Sequence, residues 1–430
     1  MTIISSQLAI DGGERSVEYP SPHQVWPLLS DECIQEVHNY LIERKPLSIA
    51  DVSGVVQELE DQIKRYFSVK YVLTTNSGSN ALHASYVALN LPVGSEVIVP
   101  VSTFHASITP GIHCGLTPVF VDVEEDNGNI SPSAILDAIT PNTSCVVVTH
   151  FWGHPAEMNE IVEICRQRNI KIIEDCSHAF GSTYHGTKVG LFGDIAVFSM
   201  QASKTVPAGE GGFMITNHRE YYERSCLVGH YRGRSVSDIV DPFLRQFAET
   251  GYGLKYRIHP LAAVIAKHEF AALDEKILNR QKFSSILNGA LEKSKGIKPP
   301  TVRNHVTMGG FFGYKPTFVE NELFQNGVAI TCDEYIEILS AEGLEIHRPS
   351  VKPLNHMDIF KSNEVGLEFA KETWNPRMTE PFLGCERYYQ NLLSLPAFIS
   401  PSSEKIIYDY VHAFKKVSNI LFSGEDEQDA

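Results

Sequence analysis

Three short stretches carry residue types that could do chemistry together. Phe198-Ser199-Met200-Gln201-Ala202-Ser203-Lys204, followed by Gly209-Glu210-Gly211-Gly212, sends a lysine out of an apolar run into a glycine-bounded loop. Burial lowers an amine's pKa, and the neutral amine is the form that attacks an aldehyde. Taken singly, Lys204 also reads as a surface lysine. Glu174-Asp175-Cys176-Ser177-His178-Ala179 puts a carboxylate at the end of another apolar run and a histidine three residues on. Strand-end acids in α/β sheets face ligands, although a helix N-cap is the other reading of Asp175. If the ligand is a pyridine ring, Asp175 would keep its nitrogen protonated and make the ring an electron sink. Thr75-Asn76-Ser77-Gly78-Ser79-Asn80-Ala81-Leu82-His83 is a small polar cluster running into a helix-like stretch. Glycine lets backbone approach a ligand closely, and N–H groups at a helix start favour a phosphate. A plain turn with a Ser or Asn cap fits the same letters.

The elements that must position these residues follow from periodicity. From about Glu96 onward, β-branched runs recur at 96–100, 118–122, 145–149 and 171–175, with helix-like stretches at 131–139 and 157–168 between them. In the second of these, Met158, Ile161, Val162 and Cys165 share one face. Strands apolar throughout, alternating with helices, predict an α/β fold whose mostly parallel sheet is covered on both faces. The runs 195–199 and 212–216 are close enough to be hairpin neighbours, so the sheet is expected to be mixed. A continuous helical pattern over 260–292 leads into a smaller α+β portion that ends in a helix near 403–421. The expected organisation is an N-terminal arm over 1–35, a large domain over 36–270, a small C-terminal domain over 271–422 and a disordered acidic tail over 423–430.

Composition narrows the partners. The 430 residues are 43% hydrophobic and 20% charged, ordinary for a two-domain globular chain. A net charge of -16 repels polyanions, which argues against nucleic acid. The eight cysteines form no CxxC pair and no tight Cys/His spacing, so neither a metal cage nor a disulfide framework is indicated. No signal-peptide pattern and no apolar run of membrane-spanning length is present, making the cytoplasm the expected address.

Taken together, 74–82, 99–107, 118–122, 150–158, 172–186 and 198–212 resemble the DegT/DnrJ/EryC1/StrS aminotransferases, the sugar and aminocyclitol branch of fold-type I pyridoxal-phosphate enzymes. Leu8-Ala9-Ile10-Asp11-Gly12-Gly13 and Trp26-Pro27 resemble the family's opening, and Leu393-Ser394-Leu395-Pro396 resembles its late Leu-Ser-Leu-Pro. The resemblance implies that Lys204 holds pyridoxal 5'-phosphate as a Schiff base and that Asp175 pairs with the pyridine nitrogen. It implies that Phe104 stacks on the ring, that Gly78 and Ser79 form the phosphate-binding turn, that Ser199 adds a hydroxyl to the phosphate, and that His178 lies near the phenolic oxygen. One position departs from the pattern. In Gly253-Leu254-Lys255-Tyr256-Arg257 the family usually has Asn where this chain has Lys255, a residue that reaches the phosphate of the neighbouring subunit in a homodimer. Lysine also binds phosphate, so the same role is expected of it.

The implied reaction moves an amino group from glutamate or glutamine to a keto sugar or ketocyclitol. The stretch 198–212, with Met200-Gln201, is closer to the aminocyclitol and aminobenzoate-type branch than to nucleotide-sugar enzymes. Trp152, His347 and Arg348, in loop-like stretches, are candidate substrate contacts. Two other activities compete with this one. Dehydratases of the family replace the lysine with histidine, which Lys204 opposes, while an aromatising enzyme of the aminohydroxybenzoate synthase type would keep it. A non-catalytic metabolite-binding homologue would need a broken Lys204 and Asp175 pair, and both residues are present.

Overall fold

The apolar runs assemble into one seven-stranded sheet. A computed structural model of the chain describes residues 7–19, 26–310, 312–320, 324–325, 328–362 and 374–422. The strands are β1 (Tyr71–Thr75), β2 (Glu96–Pro100), β3 (Thr117–Val121), β4 (Thr143–Thr149), β5 (Lys171–Asp175), β6 (Ile195–Ser199) and β7 (Gly212–Thr216). They lie in the order β1-β7-β6-β5-β4-β2-β3. Only β7 runs against the rest, pairing antiparallel with both β1 and β6. The other pairs, β6 with β5, β5 with β4, β4 with β2 and β2 with β3, are parallel. The mixed sheet expected from the hairpin spacing is therefore present, and six strands release their chain at one rim.

Both faces are covered, as the uninterrupted apolar strands require. Leu73, Val99, Val147, Ile173, Val197 and Met214 pack on one side. Val72, Phe198, Phe213 and Ile215 pack on the other, joined there by Ile98, Val146 and Ile172. Helices α1 (Asp31–Ile42) and α2 (Gly54–Phe67) precede the sheet, and α3 (Gly78–Leu89) follows β1. The two helix-like stretches appear as α4 (Pro132–Ala138) and α5 (Met158–Gln167), the latter burying Met158, Ile161, Val162 and Cys165.

The helical pattern over 260–292 is two helices, α6 (Pro260–Ala271) and α7 (Leu273–Leu291), not one. The helix breaks at Ala272, and α7 then passes from one core to the other, its start at Leu273 and Ile277 still packing with α6. Ala263, Val264 and Phe270 pack under the sheet, whereas Phe283, Leu287 and Leu291 pack with Tyr335, Leu339 and Phe414. Continuous periodicity cannot show such a turn, since each half keeps its own apolar face. That second core also takes in Leu8 and Val17 of the arm and the long helix α8 (Glu404–Phe422). Leu354, Phe360, Met378, Phe382 and Cys385, from the stretch assigned to the small domain, return to the face of the sheet. The acidic tail over 423–430 lies outside the described residues. Among those residues, no helix is long and apolar enough to cross a membrane.

Candidate active site

The rim where six strands end collects the predicted residues into one cavity of about 330 Å³. Gly78, Ser79, Phe104, Asp175, His178, Ser199 and Lys204 all line it. Each arrives by the same route, at or just beyond the carboxyl end of a parallel strand. The loop after β1 delivers Gly78 and Ser79, that after β2 Phe104, the end of β5 Asp175, and the end of β6 Ser199.

At the first of these, the structure shows the helix cap. Ser77 caps α3, its Oγ accepting from the Asn80 amide at 3.1 Å. The first N–H groups of a helix have no partner inside it, so those of Gly78 and Ser79 are available to a ligand at the cavity edge. Gly78 is required by space: a Cβ there would stand 2.8 Å from Ser199 Cβ. The close approach brings the helix start and the Ser199 hydroxyl to one spot.

Asp175 is held by groups to which no site role was assigned from sequence. Ser107 Oγ donates to its Oδ2 at 2.7 Å, and the Ser177 amide donates to Oδ1 at 3.1 Å. Thr103 Oγ1 links this serine, at 2.8 Å, to Thr149 Oγ1, at 2.7 Å. The hydroxyl chain fixes the carboxylate's orientation at the rim. The signal in the sequence was a run of small hydroxyl residues after β2, Ser102-Thr103 and Ser107, which is easily taken for a plain turn.

Lys204 faces this carboxylate inside the same cavity. Burial brings its amine down to about 8, while the negative charge of Asp175 pushes the other way. At pH 7 such an amine is neutral in roughly one molecule in ten, against about one in 3,000 for a free lysine. Its Nζ lies 4.1 Å from the centre of the Phe312 ring. Phe312 stacks in turn on His178 at 4.2 Å and 3°. Trp152 lies nearly parallel to both rings, at 10° to His178 and 7° to Phe312. The sequence marks Phe312 only as an aromatic set among Gly309, Gly310 and Gly313. Burial holds His178 well below the usual imidazole range, with the positive charges of Lys204 and Lys315 adding to the effect. The ring is therefore neutral, and its buried Nδ1 has no hydrogen-bond partner among the described residues.

The remaining candidates lie elsewhere. Lys255 is exposed, its Nζ 5.9 Å from the Tyr231 ring and outside this cavity. Trp152 is buried behind His178 and forms a wall, not a lining contact. Arg348 is tied to Asp333 at 2.8 Å and to the Gln390 carbonyl at 2.6 Å. His347 is hydrogen-bonded through its backbone to Ser394.

The residues present suit pyridoxal phosphate. An amine with a depressed pKa, a braced carboxylate, and a helix start set close against the Ser199 hydroxyl line one cavity, which His178, its buried Nδ1 without a partner among the described residues, also borders. A GDP-perosamine synthase of Escherichia coli O157:H7 is 36% identical over 238 residues, 55% of this chain and 63% of that protein. The alignment thus spans somewhat under two thirds of that relative's length. A putative L-glutamine:3-amino-2,3-dideoxy-scyllo-inosose aminotransferase of Micromonospora echinospora is 27% identical over 429 residues, 99% of this chain and 96% of that protein. The solved aminotransferase of Psychrobacter cryohalolentis shares the fold with a TM-score of 0.79 at 22% identity, over 93% of this chain and 99% of that one. The family model covers residues 46–398, a span that takes in every cavity-lining residue from Ser77 to Val351. The chain belongs to the DegT/DnrJ/EryC1/StrS aminotransferase family, whose members depend on pyridoxal phosphate.

Proposed function

We propose that this aminotransferase moves an amino group from glutamine or glutamate to the keto carbon of a sugar or cyclitol. The observation that carries the reading is the meeting of Lys204 and Asp175 in one cavity. Pyridoxal phosphate, when bound, supplies an aldehyde that condenses with amines and a ring that takes up the electron pair of a broken C–H bond. Lys204 would hold the aldehyde carbon, Asp175 the ring nitrogen, and Gly78, Ser79 and Ser199 the phosphate. Phe104 would cover one ring face, and neutral His178 would meet the phenolic oxygen with its free Nδ1.

Lys204 then has two tasks. With the donor's amine at the aldehyde, its Nζ would be free to take the proton from the donor's α-carbon. In the second half the same Nζ would deliver a proton to the former carbonyl carbon of the acceptor. Asp175 would keep the ring nitrogen protonated, and the Ser107 hydroxyl, donating to its Oδ2, keeps the carboxylate aimed. Lys204 opposes the dehydratase rival, in which histidine takes that place.

The donor and acceptor are supported by the Micromonospora relative's name, and a sugar acceptor by that of the perosamine synthase. The cavity mouth, with Gln201, Ser203, Glu210 and Ser350, offers amide, hydroxyl and carboxylate partners suited to a polyol. Incubation with [amide-¹⁵N]glutamine and [α-¹⁵N]glutamine is the direct test. The α-labelled nitrogen should appear as a new amine on a ketocyclitol or keto sugar; a product ring that has lost water instead would overturn the reading.

A homodimer is part of the proposal. Val236, Val240, Phe243, Phe247, Tyr252 and Leu254 are exposed apolar residues in the segment leading to Lys255, and a second copy would cover them. Lys255 would then reach the partner's phosphate. Lys255→Ala is expected to weaken pyridoxal-phosphate binding about tenfold, the scale of one charge-assisted hydrogen bond. Equilibrium dialysis giving an unchanged dissociation constant would remove that role. A cytoplasmic address is supported by the eight unpaired cysteines.

A further inference from the structure

Lys315 is a buried cation with no carboxylate beside it among the described residues. The residue is 8% exposed. Its Nζ donates to Ser394 Oγ at 2.8 Å and lies 4.4 Å from the centre of the Trp152 ring. An ammonium has three N–H donors, and among the described residues this hydrogen bond leaves two of them without an acceptor. Burial brings the amine down to about 7, so a large share of molecules still carries the charge at neutral pH.

The ammonium lines a second cavity, of about 30 Å³, with Asn127, His154, Thr317 and Tyr388. That is room for one or two waters, or for the head of an oxyanion. Asp126 borders the same space, but its two oxygens are already taken by Arg303, at 3.1 and 3.0 Å. Gly313 makes the ammonium's position possible. Its φ of +74° suits glycine, and a Cβ there would collide with Lys315 Nζ. The near-parallel rings of Trp152, His178 and Phe312 separate this space from the cavity that holds Lys204.

A charge buried without a counter-charge is costly, and an anionic oxygen is the group that removes the cost. We infer that this cavity is an anion subsite, in which Lys315 Nζ holds a carboxylate or phosphate oxygen behind the aromatic partition of the active site. Binding there draws the ammonium from the Trp152 ring and lessens the positive field at His178. The inference concerns binding alone and goes beyond the transamination proposed above.

The test uses the protein loaded with pyridoxal phosphate, titrated in parallel with glutarate and with inorganic phosphate. Calorimetry gives the affinity, and tryptophan emission reports on Trp152. At least one anion should saturate, with its dissociation constant rising tenfold or more in Lys315→Met while the cofactor absorbance stays at the wild-type level. Preference for glutarate identifies a carboxylate source, and preference for phosphate a phosphate source. If Lys315→Met does not fold, Lys315→Gln can still reach Ser394 without the charge, and the same loss is expected. No binding of either anion to wild type, or affinities in the variants within twofold of wild type, overturns the subsite. A chain that never takes up pyridoxal phosphate would sink the transamination instead, and the anion affinities would still be read.

Discussion

Lys204→Ala will abolish the covalent link to the cofactor aldehyde and slow amino transfer by about 10⁴-fold or more, because one nitrogen serves as both nucleophile and proton carrier. The variant should still bind pyridoxal phosphate, since Asp175, the helix start at Gly78 and Ser199 are untouched. Its absorbance would be that of the free aldehyde, and amino donors should no longer be turned over. The wild type carries a companion expectation in its pH dependence. Burial lowers the amine from 10.5 to about 8, so the reactive neutral form grows as pH rises and is complete above that value. The rate at which the apoprotein takes up pyridoxal phosphate should climb about tenfold per pH unit and then level off. Uptake still climbing at pH values near about 10, as an exposed lysine would give, contradicts a buried amine. A Lys204→Ala protein that transaminates at more than about one hundredth of the wild-type rate would end the assignment of this lysine.

Asp175→Asn has the second largest expected effect. The amide keeps the shape and can still accept the Ser107 hydroxyl, but it has no negative charge to hold a proton on the ring nitrogen. Loss of one positioned electrostatic partner costs about 10² to 10³-fold in turnover. The change should fall on kcat for donor deprotonation, measured by stopped-flow, with thermal stability within a few degrees of wild type. Slower turnover caused only by lost cofactor binding, and restored in full by excess pyridoxal phosphate, would reduce Asp175 to a binding residue.

How much of this was legible in the letters depends on the range of the interactions. Strands β2 to β7 each announce themselves through two to four consecutive apolar residues, and parallel order then sends Asp175 and Ser199 to one rim without further information. The resemblance supplied roles for Phe104, His178 and Lys255 that their own neighbourhoods do not. Interactions between distant segments were not visible. Phe312 meets Lys204 across 108 positions of sequence, and no local pattern distinguishes it from any other aromatic between glycines. Ser107 reads as a turn residue until β5 lies beside it. The break at Ala272 is hidden for the same reason: periodicity records which side of a helix is apolar, and that side stays apolar on both sides of the break.

The single reversed strand has a practical corollary. Because β7 alone runs backwards, the far edge of the sheet, where Glu96, Thr117, Thr143 and Lys171 begin their strands, carries none of the reactive groups. Scaffold and chemistry are therefore separable trades in this molecule. An engineer could anchor it to a support by that far edge, or exchange the loops at the near edge to retune which ketone is accepted, and leave the hydrogen-bonded ladder between them intact.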